Sequence, residues 1–218
     1  MKKLLLSIAI VAISAGSVFA QENSAEKLRW KGIMNNSFWS NWEIGLAGGV
    51  NATAWEGVAN NQETGDLGWQ AELSATKWYN PIVGSRLSVI GGELNKSNDA
   101  ANSNFMQFTT DGIVNLSNWI GGYREDRVYY AKLFAGAGVS FVDINAQGGS
   151  GFAATAGLIN TFRVCKQLDI NLELKGILSA GHDMPAYIAP VAGKYGQIYS
   201  ATLGIAYRFN KRDWSKDY

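Results

Sequence analysis

A two-residue hydrophobic period, repeated eight times between polar links, limits this chain more than any other feature. At about 40–53, Trp42, Ile44, Leu46, Gly48, Val50 and Ala52 share one face, while Glu43, Gly45, Ala47, Gly49 and Asn51 share the other. Such alternation belongs to a pleated strand between two unlike surroundings. The same pattern sets Trp69, Ala71, Leu73 and Ala75 against Gln70, Glu72, Ser74 and Thr76. It sets Val83, Leu87 and Val89 against Gly84, Arg86 and Ser88, and Phe108, Thr110 and Val114 against Gln107, Thr109, Asp111 and Asn115. Residues 129–141, 152–163, 170–178 and 200–209 repeat it, the clearest being Ile170, Leu172 and Leu174 against Asn171, Glu173 and Lys175. The stretch 152–163 is the least regular, because Asn160 breaks its apolar face.

Segments of about ten residues with apolar residues on every second position mark strands that cross a membrane as a closed barrel. The predicted fold is all-β: an eight-stranded antiparallel up-and-down transmembrane β-barrel. A mean hydropathy of −0.07 agrees with this, because a barrel wall shows lipid only half of its side chains. Twenty-five glycines suit tightly curved strands, and eight Trp, nine Tyr and nine Phe are enough for aromatic girdles at both interfaces.

The N-terminus reads as an export leader. Lys2-Lys3 precede an apolar run from Leu4 to Ile13, and Val18-Phe19-Ala20 form a small-residue cleavage site. The expected organisation is a signal peptide at 1–20, a periplasmic lead-in at 21–38, a barrel at 39–212 and a periplasmic tail at 213–218. Leader and barrel together point to a Gram-negative cell outer membrane, reached by the Sec pathway, with both termini periplasmic because the strand number is even. The segments 54–68, 92–104, 142–151 and 179–198 are long, polar and rich in Gly, Asn or Asp, and are expected outside. Those at 78–82, 117–128 and 164–168 are the expected periplasmic turns, although 117–128 is long for one.

The inward faces carry Glu43, Glu72, Asp111 and Glu173 with Arg86, Lys132 and Lys175. An eight-stranded bore is about filled by its own side chains, so these charges must pair or stay hydrated. A paired interior makes a rigid polar plug; a hydrated one makes a narrow path for ions or small solutes.

Nothing else carries chemistry. The sole histidine, His182, stands beside Asp183 in the last long link, but a hydrolytic site needs a nucleophile placed with them. Cys165, the only cysteine, excludes an internal disulfide and sits beside Lys166 at a turn. No Cys/His spacing suggests a metal. Nineteen basic against eighteen acidic residues give no basic surplus for nucleic acid. The chain is expected to be no enzyme and to need no cofactor.

The run Asn115-Leu116-Ser117-Asn118-Trp119-Ile120-Gly121-Gly122-Tyr123-Arg124-Glu125-Asp126-Arg127-Val128 is distinctive. With Phe134-Ala135-Gly136-Ala137-Gly138-Val139, Gly157-Leu158-Ile159-Asn160-Thr161-Phe162-Arg163, Leu168-Asp169-Ile170-Asn171-Leu172 and the ending Ala206-Tyr207-Arg208-Phe209, it resembles the OmpA-like outer-membrane β-barrel domain over about 40–212. The resemblance covers the barrel only. The C-terminal peptidoglycan-binding domain of many such proteins is not expected here. It implies a structural or surface-interaction role and no catalytic residue. The implied partners are outer-membrane lipid and lipopolysaccharide, the barrel-assembly machinery, and proteins met through the outer loops. A narrow porin-like channel and a small subunit of a larger outer-membrane complex are the alternatives.

Overall fold

The computed structural model describes residues 38–56, 62–64, 67–94, 103–124, 126–142, 149–180 and 196–209. The leader, most of the lead-in, His182 and the tail from residue 210 lie outside the described residues, as do large parts of the four long links.

The wall consists of β1 (Trp42–Glu56), β3 (Gly68–Trp78), β4 (Val83–Leu94), β5 (Ser103–Asn115), β6 (Tyr129–Val142), β7 (Ser150–Arg163), β8 (Leu168–Ala180) and β9 (Gly196–Arg208). Each pairs antiparallel with its neighbours in the chain, and β1 pairs with β9, which closes the barrel. A three-residue strand, β2 (Gln62–Thr64), pairs only with Ala54–Glu56 of β1. It extends the first hairpin past the rim. The expected eight-stranded antiparallel barrel is therefore borne out.

Burial follows the two-residue period. Leu46, Leu73, Leu87 and Leu203 are between 55% and 61% exposed, while Glu72 and Arg86 are 3% and 4% exposed. In water this would be inside out, since an apolar surface that encircles a protein far exceeds the patches a soluble monomer tolerates. Asn160 does point outward, and it accepts a hydrogen bond from the Tyr129 hydroxyl at 2.7 Å. Tyr129 also packs on Phe162 at 5.3 Å, so the polar break lies inside an aromatic band near the barrel's end. Tyr79, Tyr207, Phe209 and Trp39 expose rings at this same end.

Three short connections lie at that end, together with the start of β1 and the finish of β9. The turn after β3 is held by Asn80, whose Oδ1 accepts from the amides of Ile82 and Val83, both at 2.7 Å. The turn after β7 closes with Val164 N–H donating to Leu168 O at 3.0 Å. The third connection is the long one, and its length has a structural reason. It contains a helix, α1 (Leu116–Gly121), capped by Asn115, whose Oδ1 accepts from Asn118 N–H at 3.1 Å. Gly122 ends it at φ 68°, a left-handed conformation that favours glycine. Asn118 Nδ2–H donates to Pro81 O at 2.7 Å, which ties α1 to the neighbouring turn. Arg127 Nη1 donates to Ser117 O at 2.7 Å and to Asn118 Oδ1 at 2.8 Å. The connection folds over the mouth as a plug and places Tyr123 among Trp78, Ile113, Phe134 and Ile159.

Candidate functional site

Among the described residues, the buried charged side chains converge in the lumen. Strands β4, β5, β3 and β8 each contribute to a central cluster around Arg86. Its Nε and Nη2 donate to Asp111 Oδ2 at 3.0 and 2.9 Å, and its Nη1 and Nη2 donate to the two Glu173 oxygens at 2.6 and 3.2 Å. Glu72 Oε1 stands 3.6 Å from Nη1. Lys175 Nζ closes the set, 2.7 Å from Glu72 and 3.0 Å from Glu173. The other Asp111 oxygen accepts from the Thr155 hydroxyl at 2.6 Å. Charge-assisted bonds of this geometry are the strong kind, and they have to be, because every member is nearly out of contact with water.

Local sequence makes room for this cluster. Phe134 lies with its ring 4.5 Å from the Arg86 guanidinium and 5.7 Å from Lys175 Nζ. A Cβ at Gly157 would stand 2.7 Å from the Phe134 ring, and one at Gly136 would stand 2.2 Å from Asp111 Oδ1. At both positions a neighbouring strand's carbonyl, Leu174 O or Thr110 O, stands 2.2 Å away as well, so backbone and side chain together leave room only for glycine.

A second cluster sits nearer the plugged mouth. Arg208 Nη2 reaches Glu43 at 2.5 Å and Asp169 at 3.2 Å. Trp78 Nε1–H donates to Glu43 at 3.3 Å, and its ring lies 5.2 Å from Lys132 Nζ. The layer of Trp78, Ile113, Tyr123, Phe134 and Ile159 therefore separates the two ionic clusters: Phe134 touches one, Trp78 the other. The small gap lined by Asn41, Trp78, Asn80 and Tyr123 measures about 10 Å³, the room that one water takes.

Of the seven charged residues expected in the lumen, five (Glu72, Arg86, Asp111, Glu173 and Lys175) meet in the central cluster. Glu43 belongs to the second cluster, and Lys132 lies against the Trp78 ring. Sequence reasoning left out Asp169 and did not count Arg208 among the lumen charges. Parity would have found both: Asp169 lies two residues before Asn171 and four before Glu173 in the same inward row, and Arg208 follows Thr202, Gly204 and Ala206. It also missed that the long-loop end is apolar inside, where Ile90, Leu94, Phe105, Val142, Ile177 and Ile198 pack together.

Between that apolar group and the central cluster is a layer of small polar side chains. Both amide atoms of Gln70, the side-chain oxygens of Asn51 and Gln107, and the hydroxyls of Ser88, Thr109, Ser179 and Ser200 are buried with no hydrogen-bond partner among the described residues. Polar atoms buried in this way take water or a neighbouring polar group as partner in native proteins, so this layer is the part of the lumen chemically suited to water. Cys165 is exposed in the turn after β7. Among the described residues no three His, Cys, Asp or Glu side chains are placed to hold a metal.

Comparison with known proteins agrees with this architecture. No family model matches the chain. It is 29% identical to Outer membrane protein 41 of Porphyromonas gingivalis over 232 aligned residues, which cover 95% of this chain and 59% of that protein. It is 28% identical to Outer membrane protein 40 of the same organism, covering 99% of this chain and 59% of that one. This chain thus spans about three-fifths of the length of these relatives. Among solved structures, the crystal structure of Neisserial surface protein A superposes with a TM-score of 0.57 at 10% identity, covering 77% of this chain and 97% of that one, a likeness of fold alone. This is an outer-membrane β-barrel protein. The barrel's apolar outer wall is its lipid-facing surface, and its charged clusters lie at membrane depth, where each charge needs the partners described above.

Proposed function

We propose that this outer-membrane barrel is an OmpA-like, non-enzymatic envelope protein that holds a closed lumen in the membrane and presents its four long connections outside the cell. In this reading the short-turn end, with both ends of the barrel, faces the periplasm, and the leader at 1–20 directs export through the Sec pathway. The observation that carries it is the filling of the lumen. Arg86 is shared among three carboxylates, Arg208 between two, an aromatic layer lies between them, and α1 with Tyr123 covers one mouth. None of these side chains is arranged as a nucleophile with a base and an orienting acid, which supports a role without catalysis. The loops would meet proteins and lipopolysaccharide, and the barrel-assembly machinery would insert the wall.

The layer of buried polar atoms around Gln70, Ser88 and Thr109 favours one second reading, a narrow path for ions. For a solute to pass, it would have to cross both the apolar group at the loop end and the plug at the other. Planar-bilayer recording of the purified barrel separates the two readings. The closed reading expects no steady conductance from the wild type, and a sustained open level would overturn it. Orientation is tested on intact cells: an epitope inserted near Asn61, Asn98 or Gly193 should label, and one at Asn80 or Gln167 should not. Reversed labelling would invert the assignment of ends.

A further inference from the structure

We infer that the connection between β5 and β6 is a second lipid-binding element, with α1 seated at the headgroup–acyl boundary of the phospholipid leaflet on the short-turn side. The argument starts from the direction of its side chains. In water a short surface helix turns its apolar residues inward and its polar ones outward. Helix α1 does the reverse. Ser117 and Asn118 are 5% and 4% exposed, whereas Trp119 and Ile120 are 65% and 67% exposed. This inversion is the one that the barrel wall shows, and in the wall its cause is lipid.

The arrangement is fixed rather than incidental. Asn115, Pro81 and Arg127 bond to α1 or its cap as described above, and Ser117 Oγ accepts from Ala131 N–H at 2.9 Å, so the first turn of α1 is fastened to the start of β6. A helix held on its polar side cannot rotate to hide Trp119 and Ile120. Leaving two such side chains in water would forgo the burial that their apolar surface favours.

Continuity with the lipid-facing wall identifies the occupant. Val128 and Val164 are 61% and 57% exposed and flank the first and last residues of β6 and β7, where Arg163 N–H donates to Val128 O at 2.7 Å. Directly adjoining them is the outward Tyr129–Phe162 pair of the aromatic band. Trp119, an amphipathic ring at the level of such a band, has the chemistry of an interfacial anchor. Lys166 is exposed in the neighbouring turn, and Arg124, whose side chain is 29% exposed, ion-pairs with Asp126 at 2.7 Å. Both cations are within reach of a headgroup layer. The inference rests on the transmembrane barrel and is independent of whether the lumen conducts.

Depth-resolved quenching tests it. In a Cys165→Ser background, Ile120→Cys, Leu172→Cys and Asp126→Cys are each labelled with one fluorophore. The barrels are refolded into vesicles of phosphatidylethanolamine and phosphatidylglycerol, and folding is verified by heat-modifiable gel mobility. The label at 120 should be quenched by lipids brominated near the headgroup and be several-fold less sensitive to iodide than the label at 126. The label at 172 should respond to bromines deeper in the chain. Equal iodide quenching at 120 and 126, with no bromine quenching at 120, would place α1 in water and overturn the inference. Protection from both quenchers would mean that protein covers Ile120, and it would overturn it equally, whether the cover is another part of this chain or a second copy; energy transfer between labels at 120 would identify the copy. Should Ile120→Cys fail to fold, Trp119→Phe gives the same reading: headgroup-level bromines should quench the wild type's tryptophan emission more than the variant's, and equal quenching would refute the assignment.

Discussion

Arg86→Met should be among the most damaging single changes in the barrel, and the structure says which second change should repair it. Methionine keeps the apolar length of the side chain and removes every donor. Asp111 then loses both guanidinium bonds, at 3.0 and 2.9 Å, and Glu173 loses two more. The acids do not suffer equally. Glu173 and Glu72 still reach Lys175 at 3.0 and 2.7 Å, but Asp111 keeps only the Thr155 hydroxyl. Asp111 is 1% exposed, so a carboxylate is stranded there without water. Stranding a buried ion costs about 3–5 kcal/mol, and the lost contact between Arg86 and Phe134 adds to this.

The assay is urea unfolding of the barrel in detergent micelles or thin vesicles, followed by tryptophan emission. Relative to the wild type, Arg86→Met should lower stability by about 3–5 kcal/mol. Adding Asp111→Asn should recover a large part of the loss, because it removes the stranded charge and keeps the shape. Adding Glu72→Gln should recover much less, since Lys175 already compensates Glu72. If Arg86→Met costs nothing, or if the two second changes repair it equally, the charges are solvated separately and the shared-guanidinium reasoning fails.

On the outer wall, Leu172→Arg should reduce refolding into bilayers, an arginine facing the bilayer midplane costing about 2–4 kcal/mol, while its neighbour Asn171→Ala should cost only about 1 kcal/mol for the Thr161 hydrogen bond; equal effects would contradict the facing of β8. Gly157→Ala should sharply lower refolding yield, because its Cβ would meet Leu174 O at 2.2 Å and the Phe134 ring at 2.7 Å, whereas Gly112→Ala, whose nearest contact would be Ala135 O at 3.8 Å, should fold normally by gel mobility.

The wall was readable in the sequence because lipid on one side and a packed interior on the other impose a period of two on every strand. Leu172 and Glu173 could be assigned to opposite faces with no knowledge of their neighbours. The contents of the lumen were readable only as a set. Arg86 and Glu173 are 87 residues apart, and their contact spans the bore between β4 and β8, which no local pattern encodes. Lys132 has the same parity as Lys175, yet it lies beside Trp78 because of the register of β6. The helix in the third connection carried its signals, Asn115 as a cap and Gly122 at its end. Six residues are too few for helix propensity to speak, and α1 exists because Pro81, Arg127 and Ala131 hold it. The apolar group at the loop end shares the inward parity of the charges. Its members, such as Ile90 and Ile198, fill an interior that the rule of polar inside and apolar outside does not describe.

The second ionic cluster has a position that gives it a further consequence. Glu43 and Arg208 are direct partners across β1 and β9, the pairing that closes the barrel. Every other neighbouring pair of strands is joined by a connection that limits its register, but these two strands are joined only through the whole sheet. A slip of two residues keeps all side chains on their proper faces, so lipid does not oppose it. It would, however, set Arg208 opposite Gly45 or Asn41 and leave Glu43 buried without its cation, while Asp169 on β8 keeps Arg208. The pair therefore acts on register more than on final stability, the best-attested role of buried ion pairs. Replacing both, as Glu43→Leu with Arg208→Met, in an Asp169→Asn background so that no carboxylate is left without its cation, should leave the unfolding free energy of correctly closed barrels nearly unchanged while lowering the fraction that reaches the heat-modifiable closed form. Cysteines placed at Leu46 and Ile205, which face each other in the native register, should cross-link in the wild type and less completely in the double variant, both in a Cys165→Ser background. Full cross-linking and full closure in the double variant would show that the strand ladder alone sets the seam.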